Sequence, residues 1–155
     1  MTKKSLVVFD LDGVLFDSEH RIQLWLDGKH EEYFSKALGD TPIIQGITVC
    51  KTFLANFNYD VLFVTGRGDT LKHREDTLLM LRCCVNTGIS SKQLLMREYP
   101  EVGPHLHDAE KKPLMIENAG YDLNDIFMVF EDRKSIVDMW RSRGVMTYQT
   151  QPGDF

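Results

Sequence analysis

Short runs of apolar, largely β-branched residues alternate along this chain with longer stretches in which apolar positions recur every three or four residues. The first pattern reads as strands buried on both faces and the second as amphipathic helices. Strands are predicted at 5–8, 59–64, 94–96, 125–130 and 145–148. Between the first two, residues 18–38 read as two short helices broken near Gly28. Thr41-Pro42 then reads as an N-cap and N1 pair opening a helix through Ile44, Ile47, Val49, Phe53, Leu54 and Phe57. A helix over 69–87 carries Leu71, Leu78, Leu81 and Val85 on one side, with Gly88 as its stop. Another, capped by Asp108, carries Lys111 and Lys112 and ends near Gly120; Pro113 falls in its tolerant first turns. The last runs through Ile136, Val137, Met139 and Trp140 to Gly144. Residues 98–107 read as irregular and 151–155 as a tail. Strands alternating with helices imply an α/β fold: a doubly wound parallel sheet of about five strands with right-handed crossovers.

The chain of 155 residues suits one domain over 1–155, with a possible small helical cap insert at 18–42. Its 43% hydrophobic and 26% charged residues are ordinary for a globular protein. A net charge of -5 argues against a strong electrostatic grip on nucleic acid, though a local basic patch is compatible with it. Cys50, Cys83 and Cys84 have neither zinc spacing nor a disulfide pattern, which fits a reduced, cytoplasmic protein. The opening Met-Thr-Lys-Lys leads into a strand rather than a signal peptide, and no apolar run is long enough to span a bilayer, so no membrane role is expected. Nothing here speaks to oligomeric state.

The chemistry gathers just beyond the predicted strand ends, where open α/β sheets bind ligands. After the first strand come Asp10 and Asp12, then Gly13, which lets the chain bend sharply. One carboxylate can attack a phosphorus centre; the second can protonate the leaving oxygen and then activate water. Both need a hard cation, and Mg²⁺ with oxygen ligands suits. An Asp-x-Asp-Gly also opens turns and calcium loops, but Val14-Leu15-Phe16 supplies no further calcium ligand. Thr65-Gly66-Arg67 ends the second strand, where a hydroxyl, a backbone N–H and a guanidinium can bind phosphate. Glu131-Asp132 ends the fourth, where clustered carboxylates again call for a cation.

The stretch Asp10 to Leu15 resembles motif I of the haloacid-dehalogenase (HAD) superfamily of phosphotransferases, D-x-D-G-[TV]-[LV]. Thr65-Gly66-Arg67 resembles its motif II. Asp108-Ala-Glu-Lys-Lys resembles the D-x-x-x-K of related phosphatases, which selects Lys112 over Lys111 as motif III. Glu131-Asp132 resembles motif IV with Glu in place of the usual Asp or Gly. The resemblance implies Mg²⁺ on Asp10, the Asp12 backbone carbonyl and Asp132, with Glu131 one shell further out. Thr65, Gly66, Arg67 and Lys112 are the implied phosphate ligands.

Glu131-Asp132-Arg133 with Val137-Asp138-Met139-Trp140-Arg141 and Gly153-Asp154-Phe155, together with Leu95-Met96-Arg97, is similar to the 3′-phosphatase domains of phage polynucleotide kinase-phosphatases. The G-x-x-x-x-G-K-[ST] of a kinase half does not occur in these residues, so a stand-alone phosphatase is expected. The implied function is Mg²⁺-dependent removal of 3′-phosphates from nucleic-acid ends. A nucleotide phosphatase and a non-catalytic module that binds phosphate ends are the alternatives. The small cap implies an open site. Tyr33, Phe34 and Tyr99 are candidate base-stacking side chains, Trp25 and Trp140 candidate core, and His105, His107 and Asp108 an alternative zinc set.

Overall fold

The computed structural model describes residues 4–99 and 106–153. Five parallel strands form the central sheet in the order β5-β4-β1-β6-β7: β1 (Ser5–Phe9), β4 (Tyr59–Gly68), β5 (Leu94–Arg97), β6 (Ile126–Glu131) and β7 (Thr147–Gln149). The doubly wound α/β expectation holds. Alternation along each strand splits the core in two. Val7, Phe9, Val61 and Phe63 face one way and pack with Ile47 and Cys50 of α3 (Ile44–Leu54) and Leu78 and Leu81 of α4 (Leu71–Cys84). Leu6, Val8, Leu62 and Val64 face the other way, against Met115 and Ile116 of α5 (Asp108–Asn118) and Ile136 and Trp140 of α6 (Lys134–Ser142). With both faces covered, the strands need no polar side, which is why they read as continuous apolar runs. Phe9 and Phe130 stack across β1 and β6 with ring centroids 4.5 Å apart.

The segment between β1 and α3 contains the stretch expected as a small cap. It holds α1 (Ile22–Leu26) and α2 (His30–Ser35), separated at residues 27–29 near the expected break. It also holds a feature absent from the sequence reading, a two-stranded antiparallel ribbon of β2 (Phe16–Asp17) and β3 (Thr41–Pro42). Thr41-Pro42 is therefore not a helix cap. Proline lacks a donor but is tolerated in so short an edge ribbon. The Ile43 N–H is held by the Leu15 carbonyl at 2.8 Å, which delays the helix to Ile44.

Other differences are local. β4 runs on through Thr65-Gly66-Arg67 to Gly68, with a register irregularity against β5. Strand β7 begins at Thr147 because the Val145 N–H is still closing α6 on the Trp140 carbonyl. The N-cap of α5 is His107, not Asp108: the ring Nδ1 accepts from the Ala109 N–H at 3.2 Å, and the Glu110 carboxylate accepts from the His107 N–H at 3.3 Å. Within 98–107, residues 100–105, including His105, lie outside the described residues, as do Asp154 and Phe155. Among the described residues no helix is long and apolar enough to cross a membrane.

Candidate active site

Strands β4, β1 and β6 are neighbours, so the turns at their carboxyl ends converge at one edge of the sheet. Asp10 is nearly buried, and its N–H is held by the Phe130 carbonyl at 3.0 Å. Glu131 and Asp132 lie alongside it; one carboxylate oxygen from each of Asp10, Glu131 and Asp132 falls within 4.8 Å of the others. Helix α5 delivers Lys112, 4% exposed, with Nζ 3.0 Å from Asp10 Oδ1 and 2.6 Å from Glu131 Oε2. Between the two lysines, the structure brings Lys112 to this cluster. Glu131 Oε1 accepts from the backbone N–H groups of Asp132 and Arg133 at 3.2 and 3.4 Å, so both its oxygens are engaged by protein donors.

Burial, with Glu131 adding to it, pushes the Asp10 carboxyl up to about 8 despite Lys112 beside it. Burial and Asp10 together push Asp132 up to about 6. Burial alone would lower the Lys112 ammonium, but Asp10 and Glu131 outweigh it and hold the charge on. Three crowded carboxyls against one ammonium are a hard oxygen donor set short of positive charge, which fits a small dication. Gly13 makes the crowding possible. Its φ is +75°, and a Cβ there would lie 2.2 Å from Asp132 Oδ2.

Asp12 stands in a second network. Its Oδ1 accepts from Arg21 at 2.7 Å and from Arg67 at 2.8 Å, and its Oδ2 accepts from Arg67 Nε at 3.1 Å. Asp40 closes a ring, accepting from Arg21 at 2.7 Å on each oxygen and from Arg67 at 2.8 Å. Arg21 is fully buried, bonded to the Tyr33 carbonyl, with its guanidinium carbon 4.0 Å from the Tyr33 ring centroid. Burial opposes the Asp12 charge, but Arg67 and Arg21 outweigh it and hold the carboxyl below its ordinary range.

Arg67, expected as a phosphate ligand, thus lines the cavity while donating to Asp12, Asp40 and Thr77. Thr65 is fully buried, with its hydroxyl accepting from the Arg67 N–H at 3.2 Å; the cavity wall beside it is Gly66. A Cβ on Gly66 would lie 2.7 Å from Asp108 Oδ2. That carboxylate bonds Arg97 at 2.5 Å and Arg133 at 3.0 Å, locking α5 to β5 and to the loop after β6. Of the alternative zinc set, His105 lies outside the described residues and the His107 ring is engaged as the α5 cap; the metal-capable cluster among the described residues is Asp10, Glu131 and Asp132. Thr150 Oγ1 and Gln151 Nε2 donate to the Gly13 carbonyl at 2.9 and 3.1 Å, so the start of the expected tail braces the first motif.

The sequence reading missed Asp40, left Arg21 without a role, and gave Asp108 a capping role. The signal that was available is a charged residue inside an amphipathic helical stretch, which periodicity treats as surface. Trp25, expected in the core, lines the cavity mouth and stacks on His30 at 4.2 Å.

The fold is that of HAD-like hydrolases. It aligns with the class C acid phosphatase from Bacillus anthracis at 16% identity, over 99% of this chain and 68% of that one, with a TM-score of 0.58. A putative beta-phosphoglucomutase from Thermotoga maritima aligns at 18% identity over 94% of this chain and 84% of that one, with a TM-score of 0.55. Residues 4–155 match the model of the polynucleotide kinase PNKP phosphatase domain. The chain belongs to that family and is a HAD-type phosphatase domain. A chain in the structure of the Pnkp1/Rnl/Hen1 complex is similar at 25% identity, with a TM-score of 0.73 over all of this chain and 49% of that one. This chain therefore spans about half the length of that relative. No curated protein matches the sequence.

Proposed function

We propose that this domain is a Mg²⁺-dependent phosphomonoesterase acting through an aspartyl-phosphate on Asp10, and that its substrate is a 3′-phosphorylated nucleic-acid end. The observation that carries the reading is the buried cluster in which Lys112 touches both Asp10 and Glu131, with Asp132 beside them. Lys112 keeps Asp10 oriented and offers its ammonium to an incoming phosphoryl oxygen. The Gly66 N–H binds a second oxygen, a role supported by Gly66 lining the cavity, and Thr65 braces that stretch by accepting from the Arg67 N–H. Asp10, the Asp12 backbone carbonyl and Asp132 would hold Mg²⁺, with Glu131 supporting from behind. The bound cation would offset the charge of the carboxylates and of the phosphate.

Asp10 Oδ attacks phosphorus, and the bond to the leaving oxygen breaks. Asp12 supplies that oxygen's proton and afterwards takes one from the water that hydrolyses the acyl phosphate. Arg21 and Arg67 hold Asp12 ionised in the resting domain, so it takes up a proton from solvent as it loosens from them, gives that proton to the leaving oxygen, and then takes one from the attacking water. Arg67 acts here by orienting Asp12. The family match supports the polynucleotide end as substrate, as does the similarity to a chain of the Pnkp1/Rnl/Hen1 complex. The cysteines, with Cys50 buried and all three free, suit a reducing cytoplasm.

A nucleotide substrate is the second reading, favoured by the net charge of -5, which weakens attraction to a long polyanion. Phosphate release in Mg²⁺ from a 3′-phosphorylated oligonucleotide, its 5′-phosphorylated counterpart and free nucleoside monophosphates separates the two. Preference for the 3′-phosphorylated oligomer is expected. Preference for mononucleotides would move the domain to nucleotide chemistry.

A further inference from the structure

Beside the active site lies a second cavity of about 220 Å³, and Phe34 lines both. Its walls include Phe34, Tyr99 and His73, with His30, Glu31 and Asp69 around them. The Phe34 ring lies 5.6 Å from the His73 ring and 6.2 Å from the Tyr99 ring. Tyr99 is tied to the phosphate-binding turn, its hydroxyl donating to the Gly66 carbonyl at 2.9 Å. The two cavities are therefore neighbours across Phe34, and Tyr99 ties the second one to Gly66 at the edge of the first.

His73 is 3% exposed, yet neither ring nitrogen has an aligned hydrogen-bond partner; the exposed Glu31 carboxylate approaches Nε2 at 3.2 Å without one. Nδ1 has no partner, and an unbonded buried imidazole nitrogen is costly, so a group that bonds it is favoured there. No lysine or arginine lines the cavity; Glu31 and Asp69 do, Asp69 with its carboxylate held by Arg74 from outside the cavity. That charge repels a second phosphate. The His73, Glu31 and Asp69 side chains form no metal-capable cluster among the described residues. A neutral, planar, aromatic group with hydrogen-bonding edges matches what remains, and the volume admits one ring system rather than a peptide helix.

We propose that this cavity receives the base of the nucleotide bearing the scissile phosphate, stacked against Phe34 and Tyr99, with its edge bonded to His73. This rests on the phosphatase reading above and adds a base subsite to it. Specificity for a nucleotide end, rather than for any alkyl phosphate, would then come from the cap and the Tyr99 strand end together.

The test compares two oligonucleotides with the same 3′-phosphate, one with an intact terminal base and one with an abasic terminal sugar, and includes a 5′-phosphorylated control. Stacking of one base predicts a KM about tenfold higher for the abasic end. H73A should raise KM for the intact end and leave abasic kinetics unchanged, with H73N recovering part of the loss. If the wild-type domain cleaves both 3′-ends with equal KM, the subsite is wrong and the phosphatase reading stands. Should neither 3′-end be cleaved in preference to the 5′-phosphate, the substrate reading fails and the subsite with it. The wild-type comparison decides even if H73A does not fold.

Discussion

Arg21, Arg67, Asp12 and Asp40 form a ring of two cations and two anions, net neutral. Arg21 is fully buried, and the side chain of Asp40 shows no exposure. Arg21→Met deletes three bonds to the two carboxylates and leaves one buried negative charge in excess. Breaking such a pair from one side costs roughly 3–5 kcal/mol. For a domain of this size, that lowers the melting temperature by about 6–20 °C. The half-exposed His20 ring, 2.9 Å from Asp40 Oδ1, can offset only part of the loss. Adding Asp40→Leu restores neutrality and leaves the Arg67–Asp12 contact in place. The double variant should therefore be more stable than the sum of the single changes, by about 1–3 kcal/mol. Urea denaturation of the wild type, both single variants and the double variant measures this cycle. Additivity within about 0.5 kcal/mol would refute the coupled ring. So would a cost for Arg21→Met of under about 1 kcal/mol, well below the range for a broken buried pair.

Gly13→Ala should lose most activity and about 1–2 kcal/mol of stability from the positive φ alone, because its Cβ would collide with Asp132; kinetics and melting of the purified variant report both. Iodoacetamide at neutral pH should modify exposed Cys83 in the native protein and spare Cys50, which is buried and whose thiol burial pushes up to about 12; peptide mass spectrometry reads the sites. Burial works against the Asp108 charge, but Lys112, Arg133 and Arg97 outweigh it and depress the carboxyl below its ordinary value. Its contribution to stability is present above the unfolded value of about 4 and is lost as pH falls through the lower folded value. Asp108→Asn should therefore destabilise at neutral pH and flatten the acid limb of a plot of melting temperature against pH.

The sheet was legible because its strands are buried on both faces, so each appears as an unbroken apolar run. The motif residues were legible because parallel strands deliver their carboxyl ends to one edge. Asp10, Gly66, Glu131 and Asp132 meet there, and the D-x-x-x-K spacing chose the lysine that joins them. The Asp12 network was not legible. Arg21, Asp40 and Arg67 come from the segment before α1, the residue just ahead of β3, and β4, and periodicity assigns a charged residue to the surface even when its charge is matched inside. Asp108 looked like a cap because it begins a helix, but a histidine took that role and freed the carboxylate for two arginines. The two-residue strands β2 and β3 carry too little pattern for alternation to register.

The central claim is that Asp10 is the nucleophile of a 3′-end phosphatase. The direct measurement is phosphate release from a 3′-phosphorylated oligonucleotide in Mg²⁺ by the wild-type domain and by Asp10→Asn, with melting curves for both. Turnover is expected from the wild type and none from a variant that melts at or above the wild-type temperature, since Asn removes a buried carboxyl crowded by two others. Near-normal release by Asp10→Asn would contradict the assignment.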